Sequence, residues 1–283
     1  MEIITQPPLM QRRTSALNRR GIGFVPTMGA LHDGHLSLIK KARDENQLVV
    51  VSIFVNPTQF AQGEDFDKYP KDCEKDKELL EANQVDILFM PEAAQIYKPG
   101  HNTVVTVTGL SDKLCGFYRP GHFQGVATIV LKLLNIVCPE KAYFGQKDYQ
   151  QALIIKRMVE DLNLNVDIVV CPTVRETDGL ALSSRNRYLS TEERKDASLI
   201  YKAMIAAERE KNLVDVPKVL RQVLSTTKHI TEIQYASVYD PLTLEDITHL
   251  SYEYEGKEVL MAVAVKLGQT RLIDNKKRIK HEK

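Results

Sequence analysis

Four short stretches of this chain carry residue types that handle charged small molecules. The first is Pro26-Thr27-Met28-Gly29-Ala30-Leu31-His32-Asp33-Gly34-His35. Imidazoles three residues apart lie on one helix face and can both donate to a phosphate chain. Taken alone, the same pair can be a cap, a surface feature or half of a metal site, with no third ligand evident nearby. Its context favours anions, because the stretch follows a strand and opens a helix, where unpaired N–H groups and the positive dipole end converge. Gly29 and Gly34 have the spacing of a Walker loop, but His35 and Leu36 stand where Lys and Ser/Thr belong. Gly21 and Gly23 begin a dinucleotide fingerprint whose third glycine position holds Pro26. Both motifs are rejected.

The second stretch, Phe54-Val55-Asn56-Pro57-Thr58-Gln59-Phe60, follows the next strand. Gln59 can donate and accept, which suits a substrate with hydroxyl and carboxylate groups; the plain alternative is an Asn-Pro turn. The third, Phe144-Gly145-Gln146-Lys147-Asp148-Tyr149-Gln150-Gln151, offers Lys147 to a phosphate and Asp148 to ribose hydroxyls, or merely an exposed ion pair. The fourth, Leu182-Ser183-Ser184-Arg185-Asn186-Arg187-Tyr188, sets two hydroxyls before a guanidinium that can fork onto phosphate oxygens. A turn ahead of the next helix is the duller account. Each stretch lies at or just after the carboxyl end of a predicted strand, so the four are expected to converge on one nucleotide cleft.

The elements that must position them alternate up to about residue 175. Strands are predicted over 21–27, 48–55, 85–90, 141–144 and 166–171, with helices opening after His35 and over 72–82, 126–137 and 150–161. The run Leu48 to Val55 is almost continuously apolar and β-branched, the mark of a strand covered on both faces. The fold class is therefore α/β, a Rossmann-like, doubly wound parallel sheet. From about residue 180 the pattern changes. Ser190 and Glu193 have capping-box spacing, and Ala197, Ile200, Ala203, Met204 and Ala207 supply one apolar face. A second helix and strands over 233–238 and 258–267 complete a smaller α+β domain. The expected division is 1–178 and 179–283.

Composition narrows the function classes. Thirty-eight basic residues nearly balance 37 acidic ones in 283, so no global field points to nucleic acid or an anionic membrane. The basic run Lys276-Lys277-Arg278, with Lys280 and Lys283, reads as a solvated tail. Cys73, Cys115, Cys138 and Cys171 lie far apart, without a Cys-x-x-Cys pair, so neither a structural zinc site nor a redox motif is indicated. The N-terminal stretch breaks at Pro7-Pro8 before a signal-type apolar core could form, and the longest apolar run is far short of the roughly 20 residues of a membrane helix. A cytoplasmic location is expected.

Together the segments PTMGALHDGH (26–35), FVNPTQF (54–60), YPKD (69–72), RPGHFQGV (119–126), FGQKDYQQ (144–151) and LSSRNRYL (182–189) resemble the pantothenate synthetase family across essentially the whole chain. The His-x-x-His turn is similar to the HIGH motif of the wider nucleotidyltransferase superfamily. The resemblance implies ATP-dependent joining of (R)-pantoate to β-alanine, with AMP and pyrophosphate released through a pantoyl adenylate. It also implies a homodimer, a magnesium requirement and a smaller domain closing over the site. Carried over by motif, His32, His35, Lys147, Ser183, Ser184 and Arg185 hold phosphates, with His35 donating a proton to the leaving group. Met28, Gly29, Ala30, Leu31, Asp33 and Gly34 complete the ATP turn. Gly145 and Asp148 lie by the ribose, the backbone near Met28 and Val174 on the adenine side, Gln146 and Leu182 elsewhere in the ATP site, and Gln59 and Gln151 grip pantoate. Metal ligands stay unassigned, Asp72 and Asp76 being candidates that cannot be ranked. Arg119 and His122 either face substrate or are structural, the latter reading being favoured for His122.

The chemistry suits these residues. A carboxylate nucleophile is already ionised at neutral pH, since such acids titrate near ~4, and no Ser-His-Asp relay is required. Positioning it in line with the α-phosphorus and stabilising the departing pyrophosphate is the remaining work. Three rivals remain: a nucleotidyltransferase that leaves the nucleotide on its product, a fragment of an aminoacyl-tRNA synthetase, and a non-catalytic nucleotide-binding module.

Overall fold

The computed structural model describes all residues except 17–20, 62, 65, 71 and 280–283. Two compact units emerge. The first comprises residues 1–112, 119–146 and 151–172; the second comprises 113–118, 147–150 and 173–283.

The first unit is built on a six-stranded, wholly parallel sheet in the order β1-β4-β3-β2-β5-β6. The strands are β1 (Glu2–Ile4), β2 (Ile22–Thr27), β3 (Leu48–Ile53), β4 (Ile87–Phe89), β5 (Lys141–Gly145) and β6 (Asp167–Cys171). All but the first were legible from apolar runs. β1 has three residues and lies on the sheet edge beside β4, so it leaves too little pattern to be read. The helix Pro7–Ser15 that follows also lacked a clear apolar stripe.

Alternation along the strands sorts side chains between two layers. Val25, Val49, Val51 and Leu88 face one side, where Leu38, Ile39 and Ala42 of the helix Asp33–Glu45 and Leu80 of the helix Cys73–Ala82 complete a core. The helices His122–Val137 and Pro7–Ser15 pack together, and the former also lies on β2. The sheet is thus doubly wound, as its sequence pattern requires.

Strand order reverses at β2, which stands between β3 and β5. Pairing of β2 with β3 runs its full length, from Ile22 to Thr27. Pairing with β5 covers only Gly23 and Phe24. Beyond Phe24 those two strands part, and Pro26, which has no N–H to contribute, occupies the unpaired stretch. A crevice at the carboxyl edge of a reversal point is where open α/β sheets take ligands.

The second unit contains an antiparallel sheet, β7 (Ile230–Tyr239), β8 (Glu258–Leu267) and β9 (Thr270–Ile279), in sequence order. The helices Thr191–Ala197, Leu199–Ala207 and Val216–Leu224 contribute Ala197, Ile200, Met204 and Leu220 to a core shared with Val238, Met261 and Val263. The capping box forms as spaced: Ser190 Oγ accepts from the Glu193 amide at 3.3 Å and Glu193 Oε2 from the Ser190 amide at 2.8 Å.

One expectation is overturned here. The basic run is no solvated tail, because Lys276 to Arg278 belong to β9. Lys276 pairs with Glu208 at 2.7 Å and Lys277 with Glu258 at 2.9 Å. Arg278 is buried, and its Nη1 donates to the carbonyls of Glu208 and Glu210. Three consecutive charged residues on an edge strand hide its period from a composition reading. Lys280 and Lys283 lie outside the described residues. No helix among the described residues is long and apolar enough to cross a membrane.

One close approach fixes the first unit near its carboxyl edge. A Cβ added at Gly125 would lie 2.3 Å from the Thr58 carbonyl oxygen and 2.8 Å from the Gln59 amide nitrogen. Gly125→Ala is expected to destabilise the protein by about 1–3 kcal/mol, despite a helix-propensity gain of about 1 kcal/mol. Urea unfolding measures this, and an unchanged midpoint would show that the approach is not tight.

Candidate functional site

The turn after β2 is held by its own backbone. Thr27 Oγ1 donates to the Ser52 carbonyl at 2.8 Å and accepts from the Gly29 amide at 3.2 Å. Gly29 has φ +80° and Ala30 φ +50°, so two successive residues adopt the left-handed region. That geometry turns the next amides the same way, a concavity suited to an anion. An internal anion fills it. Asp76, buried in the first turns of the helix Cys73–Ala82, accepts from Ala30 N through Oδ2 and from Leu31 N through Oδ1, both at 2.8 Å. The positive end of that helix favours the carboxylate.

His32 then caps the helix Asp33–Glu45, its Nδ1 accepting from the Gly34 amide at 3.1 Å. That bond makes Nδ1 the unprotonated nitrogen and leaves Nε2 to carry the donor hydrogen. His35 stands one turn on, its ring 4.1 Å from that of His32 between centroids. The structure therefore realises one of the sequence readings, the cap, at His32.

The turn after β3 is a 3-10 helix, Pro57–Gln59, organised by Asn56. Asn56 Oδ1 accepts from Thr58 Oγ1 at 3.0 Å and from the Tyr97 hydroxyl at 2.8 Å. Its Nδ2 donates to Gln59 Oε1 at 3.2 Å and to the Gly125 carbonyl at 3.1 Å. Gln59 is buried, and its Nε2 rests on the Met28 thioether at 2.9 Å. A thioether is a weak acceptor, so this amide is readily exchanged onto a stronger one. Asn56 was legible only as a turn residue, and nothing in the sequence pointed to Tyr97.

Gly145 ends β5, and a Cβ placed there would meet nothing within 4 Å. Gln146 to Asp148 form a single 3-10 turn before the helix Tyr149–Asp161, which carries Gln151. Lys147 Nζ is 3.5 Å from Asp148 Oδ1, the ion pair that was the plain reading of that dipeptide. The Lys147 carbonyl accepts from Asn275 Nδ2 at 2.9 Å.

In the second unit, the Leu182 amide donates to the Val174 carbonyl at 3.0 Å, which brings those two candidates side by side. Ser183 caps the 3-10 helix Ser184–Tyr188 and accepts from the Arg185 amide at 3.3 Å. Asn186 ties the turn to Glu176 and the Ala181 carbonyl.

The two aspartates considered for metal are otherwise engaged. Asp76 commits both oxygens to backbone amides, and Asp72 caps its helix through Oδ1. Among the described residues no group of three or more His, Cys, Asp or Glu side chains is placed to hold a metal ion.

The family model described as pantoate-beta-alanine ligase matches residues 2–277. A pantothenate synthetase of Thermodesulfovibrio yellowstonii is 59% identical over 282 residues, covering 97% of this chain and 99% of that protein. One from Sulfurihydrogenibium sp. is 52% identical with the same coverage. The crystal structure of pantothenate synthetase from Thermus thermophilus superposes with a TM-score of 0.91 at 43% identity, covering both chains fully. A pantoate-beta-alanine ligase from Francisella tularensis, complexed with beta-gamma ATP and beta-alanine, does so at 0.81 and 37% identity, covering 98% of this chain and 97% of that one.

If Asp76 is the internal anion of the His32 turn, Asp76→Ala leaves two buried N–H groups without an acceptor. The expected loss is about 2–4 kcal/mol, with Asp76→Asn intermediate because it retains one acceptor oxygen. Chemical denaturation of the three proteins checks the order. Equal stability of the Ala variant and the native chain would contradict it.

Proposed function

We propose that this chain, which belongs to the pantoate-beta-alanine ligase family, joins (R)-pantoate to β-alanine in two steps through a pantoyl adenylate. The observation that carries the reading is the contact of Gln59 Nε2 with Met28 Sδ. It sets the Gln59 amide, which in this reading binds the acid, against the loop that leads into His32 and His35. Strands β2 and β3 are neighbours, so an acid held at the second turn meets phosphates held at the first.

In the first step a pantoate carboxylate oxygen attacks the α-phosphorus of ATP. The bond from that phosphorus to the bridging oxygen breaks, and pyrophosphate leaves. Gln59 exchanges its thioether for a pantoate oxygen, with Gln151 as the second grip. His32, through Nε2–H, and His35 donate to the phosphates, and His35 supplies the proton that the leaving group takes up. Lys147, Ser183, Ser184 and Arg185 balance charge on the same ATP. The backbone of the His turn from Met28 through Gly34 flanks the nucleotide. Gly145 and Asp148 lie by its ribose, the backbone near Met28 and Val174 by the adenine, and Gln146 and Leu182 complete the ATP site. The open space at Gly145 supports that approach.

In the second step the neutral amine of β-alanine attacks the acyl carbon and AMP departs. An alkylamine near pKa ~10 is mostly protonated at neutral pH. One proton goes to solvent before attack, the attacking nitrogen gives up a second to solvent as the amide forms, and no side chain is assigned as base. Magnesium, if bound with ATP, would neutralise phosphate charge; Asp72 and Asp76 are engaged with backbone amides and no side chain is assigned to hold it. The homodimer is carried by family resemblance, and light scattering of the purified chain tests it.

Removing one transition-state donor of this kind costs around 3 kcal/mol, so His35→Ala should lower turnover by ~100-fold or more. Pyrophosphate release measured with and without each substrate tests the whole scheme. Release should require pantoate and not β-alanine. Release without pantoate, or AMP retained on the final product, would favour the nucleotidyltransferase alternative.

A further inference from the structure

The turn that carries Gln59 is gripped from the helix His122–Val137 at two points three residues apart. Gly125 accepts from Asn56, as described above. At the first helical residue, His122 Nδ1 lies 2.8 Å from the Gln59 carbonyl oxygen. The other ring nitrogen, Nε2, lies 3.0 Å from Arg119 Nη1.

These two contacts fix the ring's protonation pattern. A carbonyl oxygen only accepts, so Nδ1 must carry hydrogen. A guanidinium only donates, so Nε2 must present its lone pair. Arg119 is itself immobilised. Its Nε and Nη2 donate to the two oxygens of Glu64, each at 2.6 Å, and Nη2 also reaches the Gln59 carbonyl at 3.3 Å. Burial works against the Glu64 carboxylate, but Arg119 outweighs it and holds the group below its ordinary range. The Gln59 carbonyl thus receives hydrogen on both of its lone pairs, while Asn56 holds its side-chain oxygen.

We infer that His122 is a positioning residue for the acid substrate: locked by Arg119 as the neutral Nδ1–H tautomer, it fixes the Gln59 backbone and so aims the Gln59 amide. Arg119 and His122 direct their polar atoms to the protein rather than to substrate. The inference rests on the assignment of Gln59 to pantoate.

Isosteres separate positioning from mere structural support. Asparagine places an N–H where His122 Nδ1 stands, whereas glutamine places one where Nε2 stands. His122→Ala and His122→Gln should raise KM for pantoate about tenfold, the equivalent of one lost hydrogen bond, with KM for ATP changed less than about twofold. His122→Asn should recover most of that loss. A general structural role would instead move both KM values together and in step with Tm, without distinguishing Asn from Gln, and that result overturns the inference. The nitrogen-15 spectrum of the native histidine rings, with the His122 signal identified by its loss in the Asn variant, should show a protonated Nδ1. A protonated Nε2 overturns the inference whatever the variants do. Gln59→Ala is the control for the underlying reading. An unchanged pantoate KM there refutes the assignment of Gln59 to pantoate, while the ring spectrum still decides the state of His122.

Discussion

Two adjacent backbone amides, those of Ala30 and Leu31, determine where the histidine pair stands. They face the same way because Gly29 and Ala30 are both left-handed, and they need an anion. Asp76 provides one from a neighbouring helix, 46 and 45 positions away along the chain. A turn that could have bound a phosphate through its backbone is closed by a carboxylate instead. In the proposed reading, phosphate recognition then falls to the imidazoles that follow, one of which is oriented by its own cap. The arrangement differs from a Walker loop in physics as well as in sequence, since the anion-binding amides here are a structural lock.

The same principle recurs at the next strand. Gln59 is held by its carbonyl, by its side-chain oxygen and by a close backbone approach at Gly125, and only its amide N–H has a weak partner. Rigid groups that leave one donor loosely satisfied suit a site that must align a carboxylate within a fraction of an ångström. Positioning is the main task when the nucleophile arrives already ionised. In the proposed reading, the polar network around Asn56, Tyr97, Arg119 and Glu64 sets distances in this unit.

Much of this was legible beforehand, and the failures have physical causes. The buried parallel strands announced themselves through β-branched runs, and the capping box through its spacing. Strand β9 did not, because its lysines pair sideways with Glu208 and Glu258 and composition registers only their charge. Strand β1 is too short to show a period. Among candidate residues, His32, His35 and Gln59 stand on the turns where the motifs put them. What no motif conveyed was which internal bonds each polar group makes. Asp76 reads as an unranked metal candidate until its oxygens are seen to be taken, and His122 as either substrate-facing or structural until Arg119 is seen to face its lone pair. Contacts between residues dozens of positions apart leave no local signature.

The central claim is that a pantoate oxygen becomes bonded to the α-phosphorus of ATP. Pantoate labelled with oxygen-18 in both carboxylate positions tests this directly, through mass analysis of the products of a complete turnover with β-alanine. The account predicts one labelled oxygen in AMP and one in the amide carbonyl of the product, with none in pyrophosphate. Label in orthophosphate or pyrophosphate, or AMP free of label, would contradict it.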